Sequence, residues 1–399
     1  MVWLDSGPDS FEFIFNGRPI RAERRDTIAS ALVRSGVFVF SRSMKFHRPR
    51  GYYCGSGRCF SCVMRVNGVP GVRTCSTLAE IGMVVESERG YPTTKHDALS
   101  VFDHIFRKQF DYHSRFIRPA FMTPVYQSVV RRLASSSKVP DRADTFMPLE
   151  RKECDVLIIG HGVSGSVAHA RLRPAGARTL MVDKSFREQN GIASTAFGFY
   201  ENGEIGVQSC QRLQLVKAKS VLLATGRAET GLPLANGDLP GVMLPEALHN
   251  LTTRGIRAGK RAVVVGTNEL IGRVVRELDA SDIVLVAKLE NPASVVRILG
   301  RDRVSGIEIG DSGGARKKMK CDLVVSIGPL VPSVELAQQA GCLLEAHNGV
   351  WQVKVDKTGR TTVPGVYACG GITGLFKSED RIISGQIASA SIAKSLGGA

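Results

Sequence analysis

Four cysteines lie close together in this chain: Cys54, Cys59 and Cys62 within CGSGRCFSC, and Cys75 after a short segment that turns at Asn67-Gly68. A 2Fe-2S cluster needs four thiolates approaching two irons from different directions, and a C-x4-C-x2-C run with a distant fourth cysteine is the plant-type ferredoxin spacing that supplies them. Gly55 and Gly57 suit such a loop, which wraps tightly and points backbone N–H groups at sulfur. Zinc is the alternative occupant. Structural zinc usually takes two C-x2-4-C knuckles, and this segment has one.

A second stretch able to do chemistry is CDVLIIGHGVSGSVAHARL, an apolar strand running into Gly160, Gly162 and Gly165 and then a helix. Glycine there permits the tight turn, the approach of a pyrophosphate to the backbone and close packing of helix on strand, while the helix N-terminus favours an anion. The next strand, TLMVDK, ends in Asp183 and Lys184, with the acid where it can take the ribose hydroxyls of an adenosine, as in FAD or NAD. Further on, AKSVLLATGRAE resembles, at Ala224-Thr225-Gly226, the signature with which a strand leaves the flavin domain of two-dinucleotide-domain flavoproteins. TTVPGVYACGGITG resembles their final flavin-contacting motif, with Gly370-Gly371 where Gly-Asp is usual. The missing carboxylate and a spacer of about forty residues between Asp183 and Ala224 set this chain apart from a full flavin domain. FAD is the expected occupant, with NAD or another adenine nucleotide as the alternative.

These sites require frames. FEFIFNGRPI alternates Phe11, Phe13 and Phe15 on one face before the hairpin signal Asn16-Gly17. DTIASALVRSG reads as a helix capped by Asp26 and ended at Gly36, VFVF as a strand, and Val63 to Val66 as the start of a second hairpin. That order is a β-grasp ferredoxin-like module over residues 1–95. Residues 96–150 read as a helical connector, with Ala98, Phe102, Ile105, Phe106 and Phe110 on one stripe behind Asp97 and a second short helix in YQSVVRRL. Residues 151–399 read as an α/β, Rossmann-like domain of the two-dinucleotide-binding flavoprotein kind. It carries an inserted nucleotide-binding-like subdomain at about 228–320, whose strand and looser glycine turn, at Gly266 and Gly272, lack the middle glycine.

Charge bounds the partners. The 399 residues carry a net +16, and between Asp26 and Glu80 no acid appears among Arg34, Arg42, Lys45, Arg48, Arg50, Arg58, Arg65 and Arg73. Such cations favour the reduced state of a nearby cluster and offer a surface to an acidic partner; the plainer reading is a solvated, unpaired face. Nothing resembling a helix-turn-helix, RNP or zinc-finger pattern accompanies the charge, so nucleic acid is not expected. Neither a leader-like N-terminus nor a run of eighteen uncharged apolar residues occurs, so no transmembrane segment and a cytoplasmic location are expected. The other cysteines, Cys154, Cys210, Cys321, Cys342 and Cys369, stand singly, which excludes the paired redox cysteines of disulfide reductases. His47 is read as a surface or hydrogen-bonding residue, and no G-x-S-x-G motif supports hydrolysis.

The segment HRPRGYYCGSGRCFSCVMRVNGVPGVRTC resembles the ferredoxin-type module in α-type subunits of heteromeric flavin amine dehydrogenases, the group of heterotetrameric sarcosine oxidase and of dye-linked proline, hydroxyproline and opine dehydrogenases. The resemblance implies an electron-transfer and dinucleotide-binding subunit working with a flavoprotein catalytic subunit, with a small electron-transfer subunit as a further candidate partner. It implies proline, hydroxyproline, sarcosine or opine substrates, and no catalytic residue is assigned to this chain. A stand-alone NAD(P)H-dependent FAD and iron-sulfur oxidoreductase, or a nucleotide-binding scaffold, are the alternatives.

Overall fold

The computed structural model describes residues 10–43, 46–88, 90, 93–98, 121, 124, 148–184, 194–209, 212–311 and 313–397. The connector stripe from Phe102 to Phe110, the YQSVVRRL helix, Lys45 and Cys210 lie outside them. The chain divides into two compact units, one of Gly7–Arg142 and Glu229–Pro329, the other built mainly from Ala143–Ala228 and Leu330–Ala399.

In the first unit, a five-stranded sheet runs in the order Arg18–Glu23, Ser10–Phe15, Val84–Ser87, Val63–Val66, Val69–Arg73. Phe13 and Phe15 point into the core, and both hairpins turn on Asn-Gly pairs with positive φ, Asn16-Gly17 and Asn67-Gly68. The helix Ile28–Arg34 packs beneath, with six of its residues buried. Its cap differs from expectation: Thr27 accepts from Ser30 N in a capping box, whereas Asp26 is buried and holds the Ser30 hydroxyl (2.7 Å) and the Arg34 guanidinium. VFVF also differs, forming no strand. The Val37 N–H closes the helix end onto Leu32 O (2.8 Å), and pairing begins only where Ser41–Arg42 meets Pro49–Arg50.

Among its described residues this unit also holds a parallel sheet in the order Val242–Met243, Leu323–Ser326, Arg261–Val265, Val284–Leu289, with helices Pro245–Thr252 and Ile271–Ala280 and an antiparallel sheet, Val295–Gly300, Val304–Gly310 and Arg316–Met319. One face of its parallel sheet has a core of its own, with Val242, Val263, Val265, Ile298, Ile307 and Val324, and the rest of its core is shared with the N-terminal module. Phe13, Ile28, Leu32, Phe40 and Met64 share one buried cluster with Met243, Leu244, Ala247, Leu248, Leu251, Val264 and Leu323.

The second unit holds a sheet ordered Ser194–Phe199, Glu204–Ser209, Leu213–Leu223, Leu149–Ile159, Thr179–Val182, with Val366–Ala368 paired parallel to Leu213–Leu223. The strands Leu149–Ile159, Thr179–Val182, Leu213–Leu223 and Val366–Ala368 run parallel, the Rossmann-like arrangement, while an antiparallel meander occupies the short spacer after Asp183. Helices Val163–Leu172 and Ser378–Leu396 cross where a Cβ on Gly385 would stand 2.6 Å from Ser164 O.

Candidate cofactor sites

The cysteine loop hangs between the Pro49–Arg50 pairing and the Val63–Val66 strand, and Cys75 follows the partner strand Val69–Arg73. Cys54, Cys62 and Cys75 are buried, and Cys59 is half-buried. The loop turns its amides toward sulfur: Gly57 N–H donates to Cys75 Sγ (3.3 Å) and Cys59 N–H to Cys54 Sγ (3.4 Å). Gly55 and Gly57 both take positive φ, +66° and +71°, the path expected of them. The sulfurs are in mutual hydrogen-bond contact. Donation from the Cys59 and Cys75 thiols holds Cys54 well below the ordinary cysteine range against the opposing effect of burial, and Cys75 does the same for Cys62. The donors Cys59 and Cys75 are correspondingly pushed up, first by those hydrogen bonds and then by burial. Among the described residues no group of three or more His, Cys, Asp or Glu is arranged to hold a single metal ion. Four thiols brought together from two chain segments, with amides donating to sulfur, fit a two-iron cluster, in which each iron takes two thiolates.

Behind the loop stands the helix Pro245–Thr252. A Cβ on Gly55 would lie 2.7 Å from Ala247 Cα, the Asn250 side-chain amide donates to Gly55 O (2.9 Å), and Leu244 N–H donates to Tyr53 O (2.9 Å). Much of the acid-free basic span is spent on similar ties. Arg48 and Arg50 both reach Asp238 (2.9 and 2.8 Å), Arg42 reaches Asp302 (3.0 Å), and Arg34 pairs with Asp26 and donates to Arg254 O. For these four arginines the reading as an unpaired, solvated face is therefore corrected, their acids lying outside the span, while Arg58 and Arg73 are exposed. His47, read as a surface or hydrogen-bonding residue, is buried and hydrogen-bonded, with Nδ1 2.9 Å from Asp97 Oδ2. Asn250 and Asp238 gave no signal in the sequence because they lie almost two hundred residues from the atoms they hold.

At the nucleotide turn the three glycines divide their work. Gly160 takes φ +115°, and a Cβ there would stand 2.1 Å from Ala224 O; a Cβ on Gly165 would stand 1.9 Å from Gly160 O. These two let strand, turn and helix close against the Ala224 strand end. Gly162 faces open space, with nothing within 4 Å of a Cβ, and it starts the helix Val163–Leu172 without a side-chain cap. The first-turn amides are thus left for an anion. His161 N–H donates to Asp183 Oδ2 (2.7 Å), tying the acid to the turn, and Lys184 beside it is exposed. Thr225 Oγ1 donates to Ser333 O and Ser333 N–H donates to Gly226 O, while Gly370, at φ +77°, has its N–H on Ser384 Oγ (2.9 Å). A Cβ at Gly371 would meet the Gly226–Arg227 backbone at 3.1–3.3 Å, so little space remains there for the usual aspartate. Ser164 and Ser384, which line this end, were not singled out from sequence. The open Gly162 edge and the uncapped helix give this turn the form of a dinucleotide cradle.

The second glycine turn is different. Gly266 packs closely, a Cβ being 2.1 Å from Ile327 O, but Asn268 stands near the middle-glycine position. Its side chain donates to Gly328 O and accepts from Leu270 N–H (both 2.8 Å), covering an amide that a pyrophosphate would use. Gly272 falls inside the helix Ile271–Ala280. Elsewhere, Cys154, Cys321 and Cys369 are buried single thiols pushed up by burial to about 11, 11 and 12.

Residues 9–90 match the 2Fe-2S iron-sulfur cluster binding domain family, and residues 287–397 match the pyridine nucleotide-disulphide oxidoreductase family. The alpha subunit of sarcosine oxidase from Rhizobium meliloti (strain 1021) is 27% identical over 82% of this chain and 40% of its own length. The A subunit of opine oxidase from Agrobacterium tumefaciens (strain Ach5) is 24% identical over 46% of this chain and 45% of its own. The chain thus spans less than half the length of these curated relatives. L-proline dehydrogenase from P. horikoshii shares the fold, with a TM-score of 0.71, 19% identity, and coverage of 99% of this chain and 75% of that one. The domains indicate a 2Fe-2S cluster and FAD as cofactors. Among the described residues, no helix is long and apolar enough to cross a membrane. A β-grasp 2Fe-2S module followed by a Rossmann-like oxidoreductase fold, together with these likenesses, makes the chain an oxidoreductase similar to part of the α-type subunits of sarcosine oxidase and opine oxidase.

Proposed function

We propose that the chain is the electron-transfer and dinucleotide-binding subunit of a heteromeric flavin-dependent dehydrogenase acting on an amine or amino acid of the proline, hydroxyproline, sarcosine or opine class. The observation that carries this reading is the presence, in one chain, of a four-thiol loop with amides aimed at sulfur and an uncapped glycine cradle. A flavin takes two electrons and gives them up singly, and a 2Fe-2S cluster relays one at a time. Cys54, Cys59, Cys62 and Cys75 would hold the cluster, and Gly57 N–H and Cys59 N–H would stabilise negative charge on sulfur. Gly160, Gly162 and Gly165 would admit the pyrophosphate, Asp183 would orient the ribose, and Ala224-Thr225-Gly226 with Gly370 would close the cradle's far side. The amine-oxidising centre is assigned to a partner flavoprotein subunit. Against a stand-alone NAD(P)H-dependent enzyme stands Asn268, which occupies the second turn with its own amide.

Co-expression with a flavin-containing amine-dehydrogenase subunit is expected to give a stable complex in which added substrate, without oxygen, bleaches the visible absorption of the iron-sulfur centre. Turnover of amino acids by the isolated chain at the rate of the complex would overturn this division of labour. Stoichiometric zinc without acid-labile sulfide would overturn the cluster.

A further inference from the structure

The cysteine loop has one held side and one open side. Its held side carries Gly55 against Ala247 and Asn250. On the open side, Cys59 is the least buried of the four cysteines, and the next residue, Phe60, is 66% exposed. An aromatic ring left mostly in water between two buried or half-buried cysteines adds little to the core, and exposed apolar groups rimmed by charge mark interaction surfaces. The rim is basic: the Arg73 guanidinium lies 5.2 Å from the Phe60 ring centre, and Arg58, on the other side of Cys59, is exposed. Stacking on Phe60 fixes Arg73 beside the ring, so the charge is positioned in advance of any encounter. Of the other described arginines of the span, Arg34, Arg42, Arg48 and Arg50 are tied to carboxylates and Arg65 donates to Gly68 O, while Arg58 and Arg73 both stand exposed at this edge.

We propose that the Cys59–Phe60 edge, flanked by Arg58 and Arg73, is the port through which the chain exchanges single electrons with an acidic one-electron carrier protein, whose apolar centre seats on Phe60 and whose carboxylates meet the two arginines. This deepens the functional reading above and rests on its assignment of the cluster to the four cysteines. The cluster, held by the four cysteines, would supply one electron at a time, Cys59 would be its most exposed ligand, and the carrier's acceptor would gain that electron with no proton moved and no covalent bond broken. The iron-sulfur core is itself negative and would repel an acidic carrier; Arg58 and Arg73 offset that repulsion at the point of approach and speed encounter at low salt.

The test uses the iron-loaded full chain, with iron, sulfide and the electron paramagnetic resonance signal measured first. An iron-free, sulfide-free protein overturns the cluster assignment and the port with it. The binding probe is a plant-type ferredoxin, an acidic one-electron carrier. Binding is expected to weaken as salt rises. It should also weaken about tenfold or more in Phe60→Ala and in Arg73→Glu, with the resonance signal unchanged, while Lys317→Glu, an exposed charge reversal on another strand, leaves it as in the parent. A second readout is oxidation of the reduced centre by ferricyanide, an anion, against hexaamminecobalt(III), a cation. Arg58→Glu with Arg73→Glu should lower the anion-to-cation rate ratio about tenfold or more. Failure of the parent to bind, equal losses in Lys317→Glu, or an unchanged rate ratio in the double variant would each overturn the port.

Discussion

Gly55 shows how much a single hydrogen atom in place of a side chain can carry. Its positive φ and its closeness to Ala247 Cα are two separate demands on one residue, and they can be pulled apart by comparison with Gly17, which has φ +76° but open space where a Cβ would go. Gly17→Ala is expected to cost only the conformational penalty of about 1–2 kcal/mol. Gly55→Ala meets backbone that cannot swing away, so it should cost more and release most of the bound iron. Iron and sulfide content, with thermal unfolding of both variants, checks this; equal iron in the two would show that the contact with Ala247 is not needed by the loop. Residue types at the chemical positions were legible because thiolate spacing and glycine turns are local properties, readable within a few residues. The hydrogen-bond partners of those positions were not legible, since Asn250 acts on Gly55 from 195 residues away, Ser384 acts on Gly370 from the following helix, and neither belongs to a motif.

Among the elements, the strands and hairpins followed their patterns, with Phe13 and Phe15 inward and Asn-Gly at both turns. VFVF failed because alternation of apolar residues cannot reveal that a preceding helix has already claimed the first amide. The basic span failed for a related reason: charge counted along the sequence says nothing about carboxylates arriving from another element. Asp238, which accepts from both Arg48 and Arg50, is the clearest of these ties, its side chain 22% exposed. Asp238→Ala leaves two partly buried arginines short of their carboxylate and is expected to destabilise by about 1–3 kcal/mol. Breaking the Arg151–Glu204 pair, whose arginine is 70% exposed, by Glu204→Gln should cost about 0–1 kcal/mol. Urea unfolding of the two variants measures the difference, and equal midpoints would mean that the Asp238 ties are no stronger than an ordinary surface pair.

For the whole molecule, the unexpected feature is the core shared by the N-terminal module and residues 243–327. A ferredoxin-like module reads from its sequence as a separable cassette, because its hairpins, helix and cysteine loop are contiguous. Its apolar floor is not contiguous: Leu244, Ala247, Leu248 and Leu251 are supplied from the far side of the other unit's sequence. A fragment ending at residue 98 is therefore expected to unfold at lower urea than the same segment in the full chain and to expose apolar surface that binds a hydrophobic dye; matching midpoints would make the module a true cassette. The same floor sets a clock on maturation. During synthesis the cysteines emerge before the helix that backs their loop, which follows about 190 residues later, a delay on the order of 10–40 seconds at ordinary rates of chain growth. Through that interval the thiols stand in an incomplete pocket, so iron and sulfide delivered to the finished chain meet a formed receptor, while metal arriving on the ribosome meets four loosely held cysteines open to zinc and to oxidation.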